Sequence, residues 1–154
     1  MTTNNEYKEL QKLADERAEV YISELFKALI DEAEAQVEQI EPKDLYVLDD
    51  DMLLVDVREP EEFASGYIDA HNNLTIPRGK LEFMAIKKIA EIYGQDAKIV
   101  TYCLKGPRGS LAAFQLKKMG FSNVRNLKGG ILNWLEQGNT IKSYLGELTL
   151  AKAL

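Results

Sequence analysis

The chain has 154 residues, 45% hydrophobic and 29% charged, which suits one folded domain with an appendage and is enough to bury a core. A formal net charge of -6 argues against nucleic acid or an anionic membrane as the main partner, and no apolar run approaches a membrane span. The opening MTTNNEYKEL lacks the basic-then-apolar pattern of a secretion signal, and one cysteine excludes an internal disulfide, so a reducing, cytoplasmic setting is expected.

Residues 6 to 39 carry no Pro or Gly. Leu10, Leu13, Ala14, Ala18, Tyr21, Ile22, Leu25, Phe26, Leu29, Ile30, Ala33 and Val37 recur at three- and four-residue steps, which predicts a long helical extension over residues 1–39. Its apolar stripe is expected to pack on the rest of the chain or, over residues 10–37, to form a homodimer. Glu41-Pro42-Lys43-Asp44-Leu45 reads as a turn into a short helix. Met52 to Arg58 is a short apolar run that suits a fully buried parallel strand. Pro60 opens a helical turn, since proline is well tolerated at the first helical position. Residues 65 to 80 read as an irregular polar connection, and Leu81 to Tyr93 as an amphipathic helix stopped by Gly94. Ala97 to Tyr102 is a second buried strand with Cys103 at its end. Ser110 to Met119 is helix, with Lys117 and Lys118 in its last turn and Gly120 after it, as the helix dipole and C-cap prefer. Val124 to Leu127 is a further strand, Gly129-Gly130 a turn and Ile131 to Glu136 a short helix. Residues 139–154 form a tail. Alternating strands and helices over residues 40–138 indicate an α/β fold with a central, mainly parallel sheet flanked by helices.

In such sheets sites form beyond the carboxyl ends of the strands, which is where Cys103 falls. A lone cysteine is often a packed small hydrophobe. The segment after it, Leu104-Lys105-Gly106-Pro107-Arg108-Gly109, argues otherwise. Its glycines allow the backbone N–H groups to turn inward, and inward amides beside a helix N-terminus make an anion-binding nest. Leu104, Lys105, Gly106, Arg108 and Gly109 can each offer an amide, whereas Pro107 cannot. Lys105 and Arg108 add whole charges at the rim. A thiolate held there is a nucleophile without a histidine base. The one histidine, His71, lies in the polar stretch Asp-Ala-His-Asn-Asn and reads as an exposed loop residue. With a single His and a single Cys no zinc cluster can be assembled, and neither metal nor cofactor is expected.

Several stretches, in order, resemble the rhodanese-like single-domain sulfurtransferases. These are Leu54-Val-Asp56-Val-Arg58-Glu59 with Glu62-Phe63; Gly66-Tyr-Ile68 and Ile76-Pro77-Arg78-Gly79 with Leu81-Glu82-Phe83; Tyr102-Cys103-x-x-Gly106-x-Arg108 with Leu111-Ala112-Ala113; and Met119-Gly120-Phe121 through Gly129-Gly130-Ile131 to Trp134. The resemblance covers residues 40 to 137. It implies that Cys103 takes sulfane sulfur from a small anionic donor such as thiosulfate. The resulting persulfide is passed to a thiol, an acceptor protein or cyanide. Leu104, Lys105, Gly106, Arg108 and Gly109 would cradle the persulfide, with Asp56 and Arg58 bracing from behind. Phosphatases and arsenate reductases on the same fold generally use a longer loop between Cys and Arg, so loop length favours sulfur transfer. Departures from the family are Tyr67 where a histidine is usual, Gly109 where Ser or Thr is common, Pro107 within the loop, and a longer stretch between Gly66 and Pro77. A binding or persulfide-carrier module recruited through the N-terminal helix is the alternative expectation.

Overall fold

Met52-Leu53-Leu54-Val55-Asp56 is buried at every position, as a strand covered on both faces must be. The computed structural model describes residues 8, 9, 12, 24–143 and 146–148, and the chain divides into two compact units, residues 1–32 and 33–154. In the second unit β1 (Glu38–Ile40), β2 (Met52–Asp56), β3 (Asn72–Thr75), β4 (Lys98–Tyr102) and β5 (Val124–Leu127) form one sheet in the order β1-β5-β4-β2-β3. Every pairing is parallel, which is the expected α/β architecture.

Side-chain alternation sorts the strands onto two cores. Leu53, Val55 and Ile99 face one cluster with Cys103, Ala112, Ala113 and Leu116, whereas Met52, Leu54, Val100 and Tyr102 face another with Ile131, Trp134 and Leu135. The first side holds the segment Leu81–Tyr93, here α3, and α4 (Pro107–Lys118). The second holds α5 (Gly130–Glu136). Because Tyr102 points to the second side, Cys103 falls on the first, against α4.

The elements differ from the sequence reading at four places. The helical extension, α1 (Glu24–Gln36), ends at Gln36, and Glu38–Ile40 instead pairs with Arg125–Leu127 as an edge strand of the sheet. Periodicity runs on through Val37, a buried residue that lies between the helix and the strand. Those parts of the expected helix and homodimer stretch at residues 10, 11 and 13–23 lie outside the described residues. The connection from 65 to 80 contains β3, an edge strand whose Asn72-Asn73-Leu74-Thr75 lacks the apolar run of a central strand. α3 is continuous from Leu81 to Tyr93 but widens to π-helical geometry over Ile86–Ala90. Finally α4 begins at Pro107, three residues before the expected Ser110.

α2 (Pro60–Ser65) follows β2, with Glu59 as its N-cap. The tail contributes a hairpin, β6 (Ile141–Ser143) and β7 (Gly146–Leu148). Ile141 is buried, and Lys142 bridges to Tyr67 through two backbone bonds. Among the described residues no helix is long and apolar enough to cross a membrane.

Candidate active site

Gly106 precedes α4 with φ 120, a conformation that needs glycine, and its N–H donates to Cys103 Sγ at 3.1 Å. That turn folds the chain back over the sulfur. Pro107 then occupies the first helical position, where a missing N–H breaks no helical bond and φ is already set. The oddity of a proline inside the loop is therefore a helix start.

Four of the loop's carbonyls have partners away from the sulfur. The Ile131 and Leu132 amides at the start of α5 donate to the Cys103 and Leu104 carbonyls at 2.9 and 3.2 Å. The Gly106 carbonyl accepts from Ser110 N–H at 3.0 Å and from Asn126 Nδ2 at 3.2 Å, and the Gly109 carbonyl from Thr101 Oγ1 at 2.8 Å. No described residue accepts from the Leu104, Lys105, Arg108 or Gly109 amides. Four loop amides are thus left without an acceptor among the described residues, while the carbonyls of Cys103, Leu104, Gly106 and Gly109 are engaged. A cavity of about 290 Å³ opens there, lined by Cys103, Leu104, Lys105, Pro107 and Arg108. Of the five expected amides, Gly106 touches Sγ in this structure.

Two residues to which the sequence assigns no role in the site hold this loop. Asn126, fully buried on β5, donates to Gln39 Oε1, Ser110 Oγ and the Gly106 carbonyl, and accepts from Thr101 Oγ1. A β-carbon at Gly109 would collide with Asn126 Oδ1, so glycine stands at that position because Asn126 occupies the space. A polar Asn within the strand Val-Arg-Asn-Leu was the available signal, since such a residue must find partners.

The second is Glu62. Its carboxylate binds Arg108 with both oxygens, Nη1 to Oε1 at 2.7 Å and Nη2 to Oε2 at 2.9 Å. Arg108 thus brings the whole charge expected of it, but paired with a carboxylate. Hydrogen bonding to Arg108 is the main cause that holds the Glu62 carboxyl down at about 2, against the opposing effect of burial. The same pair raises the Arg108 pKa above its ordinary value. Lys105 is exposed and has no carboxylate partner among the described residues.

Asp56 and Arg58 brace neighbouring elements. Arg58 Nη2 and Nε bind the Asp56 carboxylate at 2.8 to 3.2 Å, and the pair is almost fully buried. Arg58 also donates to the carbonyls of Gly66 at 2.7 Å and Glu62 at 3.3 Å, which ties down α2. Burial works against the Arg58 cation, but the bonds and charge of Asp56 outweigh it and raise its pKa. Tyr102, the residue before Cys103, donates to Asp56 Oδ2 at 2.9 Å and accepts from the Ile68 amide. Burial, then the charge of Asp56, push that phenol strongly up, so it stays protonated. Asp56 and Arg58 contact neither Cys103 nor its loop amides; they reach the site through Tyr102 and Glu62.

His71 is where a loop histidine was expected. It is exposed, 2.7 Å from Asp50, at the amino-terminal end of β3 and therefore at the opposite end of the parallel sheet from Cys103. Tyr67, in the place of the family's histidine, stacks on Phe63 with ring centroids 4.5 Å apart. Among the described residues no group of three or more His, Cys, Asp or Glu could hold a metal ion.

A family model for the rhodanese-like domain matches residues 30–137. The chain belongs to that family. It is 36% identical over 89 residues to a sulfurtransferase of Allochromatium vinosum, covering 58% of this chain and 77% of that protein. Among solved structures, the polysulfide-sulfur transferase homodimer of Wolinella succinogenes matches with a TM-score of 0.66 and 31% identity, over 86% of this chain and 93% of that one. A Rhodopseudomonas palustris protein of unknown function, described as a possible tyrosine phosphatase, matches with a TM-score of 0.63 and 32% identity, over 72% of this chain and 89% of that one.

Proposed function

We propose that this chain is a sulfurtransferase in which Cys103 carries the sulfur. The observation that carries the reading is the loop itself: one N–H donates to Sγ, four more amides are unspent, and the carbonyls of Cys103, Leu104, Gly106 and Gly109 are engaged elsewhere. The Cys103 thiolate attacks the sulfane sulfur of an anionic donor such as thiosulfate. An S–S bond forms, the donor's own S–S bond breaks, and sulfite leaves with the electron pair. A thiolate acceptor, or cyanide, then attacks the outer sulfur and Cys103 departs as thiolate. The amides of Leu104, Lys105, Gly106, Arg108 and Gly109 hold the anionic outer sulfur between the two steps, and Lys105 attracts the donor. No second cysteine is needed in the chain.

Intact-mass analysis after adding thiosulfate tests this. Wild type gains one sulfur atom, reductant removes it, and Cys103→Ser gains nothing. Absence of an adduct with every sulfane donor tried would leave the binding-module alternative. Cys103-dependent cleavage of an aryl phosphate would favour the phosphatase reading that the Rhodopseudomonas protein's description raises; the four residues between Cys103 and Arg108 argue against it.

The lone thiol fits a reducing, cytoplasmic compartment. We further propose that the chain forms a homodimer through residues 10–37. It is supported by the Wolinella homodimer and by exposed Leu25, Phe26 and Leu29 on α1. Light scattering of Phe26→Asp checks it: an unchanged mass would count against the helix as the contact.

A further inference from the structure

Arg108 and Glu62 cancel each other at the mouth of the Cys103 loop, and this has a consequence for which donors the loop accepts. The loop sequence offers two cations, Lys105 and Arg108. Both terminal nitrogens of Arg108 are taken by both oxygens of Glu62, whose side chain reaches it from another element. The pair is partly exposed, 36% and 27%, and lies beside the cavity that Arg108 helps to line. Of the two loop cations, an entering anion therefore meets only Lys105 without a carboxylate partner among the described residues, and the charge of Glu59 is also felt at Arg108.

We propose that Glu62 is a specificity-determining residue that sets the charge the site prefers. By neutralising Arg108 it lowers the advantage that a dianion such as thiosulfate has over a singly charged sulfur donor such as a persulfide anion. The proposal deepens the sulfurtransferase reading and rests on it for the identity of the donors. The charge relation itself is independent of turnover.

Coulomb energy is linear in the charge of the ligand. Removing the Glu62 charge therefore multiplies the affinity for a monoanion by some factor, and that for a dianion by about its square. A general loosening of the loop would instead change both by the same factor. Gln is the suitable replacement, because it keeps the shape of Glu62 and can still accept from the Glu59 amide, a contact of 3.2 Å at the start of α2.

The test uses full-length Cys103→Ser, which cannot form a persulfide, with sulfate and thiocyanate as inert probes of charge two and one. Loop amides are followed by ¹⁵N NMR titration in low salt. Adding Glu62→Gln should tighten thiocyanate on the order of two- to three-fold and sulfate on the order of four- to nine-fold. The gain should fade as salt rises, since exposed charges are screened. Adding Arg108→Gln as well restores the wild-type charge count, and sulfate affinity should return to about its starting value. Equal factors for the two anions, no change in either, or no reversal by Arg108→Gln would each overturn the proposal. Failure of wild type to take up sulfur would overturn the function reading and leave this titration unaffected.

Discussion

Gly130 is the position where one methyl group should do most damage to the site. It sits at φ 65, and a β-carbon built there would lie 2.5 Å from both the Cys103 and Leu104 carbonyl oxygens and 2.6 Å from the Leu104 carbonyl carbon. All three are backbone atoms, so no side chain can swing aside. Gly130→Ala thus incurs the left-handed backbone cost of about 1–2 kcal/mol. It must also push α5 away from the loop, weakening the bonds from Ile131 and Leu132 that hold those carbonyls, at about 1 kcal/mol each. The expected loss is about 3–4 kcal/mol. Gly94→Ala supplies the control, because Gly94 has φ 89 with nothing within 4 Å of the added carbon. It should lose only the backbone part. Urea denaturation of both variants measures the difference, about 2 kcal/mol, and thiosulfate-dependent mass gain on the folded fraction reports the site. If Gly130→Ala is no less stable than Gly94→Ala and takes up sulfur as wild type does, the idea that α5 holds the loop carbonyls is wrong.

Arg58→Met should destabilise by about 3–5 kcal/mol, because it strands the Asp56 carboxylate in a buried site; thermal or urea unfolding checks it, and Asp56→Asn added to it should recover part of the loss. Asn126→Leu leaves the Gly106 carbonyl and the Ser110, Thr101 and Gln39 side chains short of partners, for a loss of about 2–4 kcal/mol and a lower persulfide yield per folded molecule. Glu62 has a folded-state pKa of about 2 against an ordinary 4.5, so its contribution is fully present above pH 4.5 and is lost as pH falls toward 2. Denaturation midpoints measured across that window should fall more steeply for wild type than for Glu62→Gln.

The parallel sheet and the place of Cys103 were legible because buried strands such as Met52–Asp56 and Lys98–Tyr102 are short continuous apolar runs. β3 was not, because an edge strand made of Asn72, Asn73 and Thr75 carries no such run. The turn at Gly106 was readable from its glycine, but the groups that hold the loop were not. Glu62 and Arg108 are 46 residues apart, and Asn126 and Gly106 are 20 apart. Nothing local to either member names its partner. The start of α4 was misplaced by treating Pro107 as a loop residue, when φ near its ring-fixed value makes proline a good first residue of a helix.

The clamp on the loop comes from β5 and the start of α5, which follow Cys103 by more than twenty residues in the chain. During N-to-C synthesis the cysteine therefore emerges before the groups that shape its surroundings. Until Asn126, Ile131 and Leu132 have docked, the carbonyls of Cys103, Leu104 and Gly106 lack the partners that hold them in place. On the sulfurtransferase proposal, reactivity at this thiol becomes a late event in folding, and the rate at which an anionic sulfur donor labels a refolding chain should read out the docking of its last strand and helix.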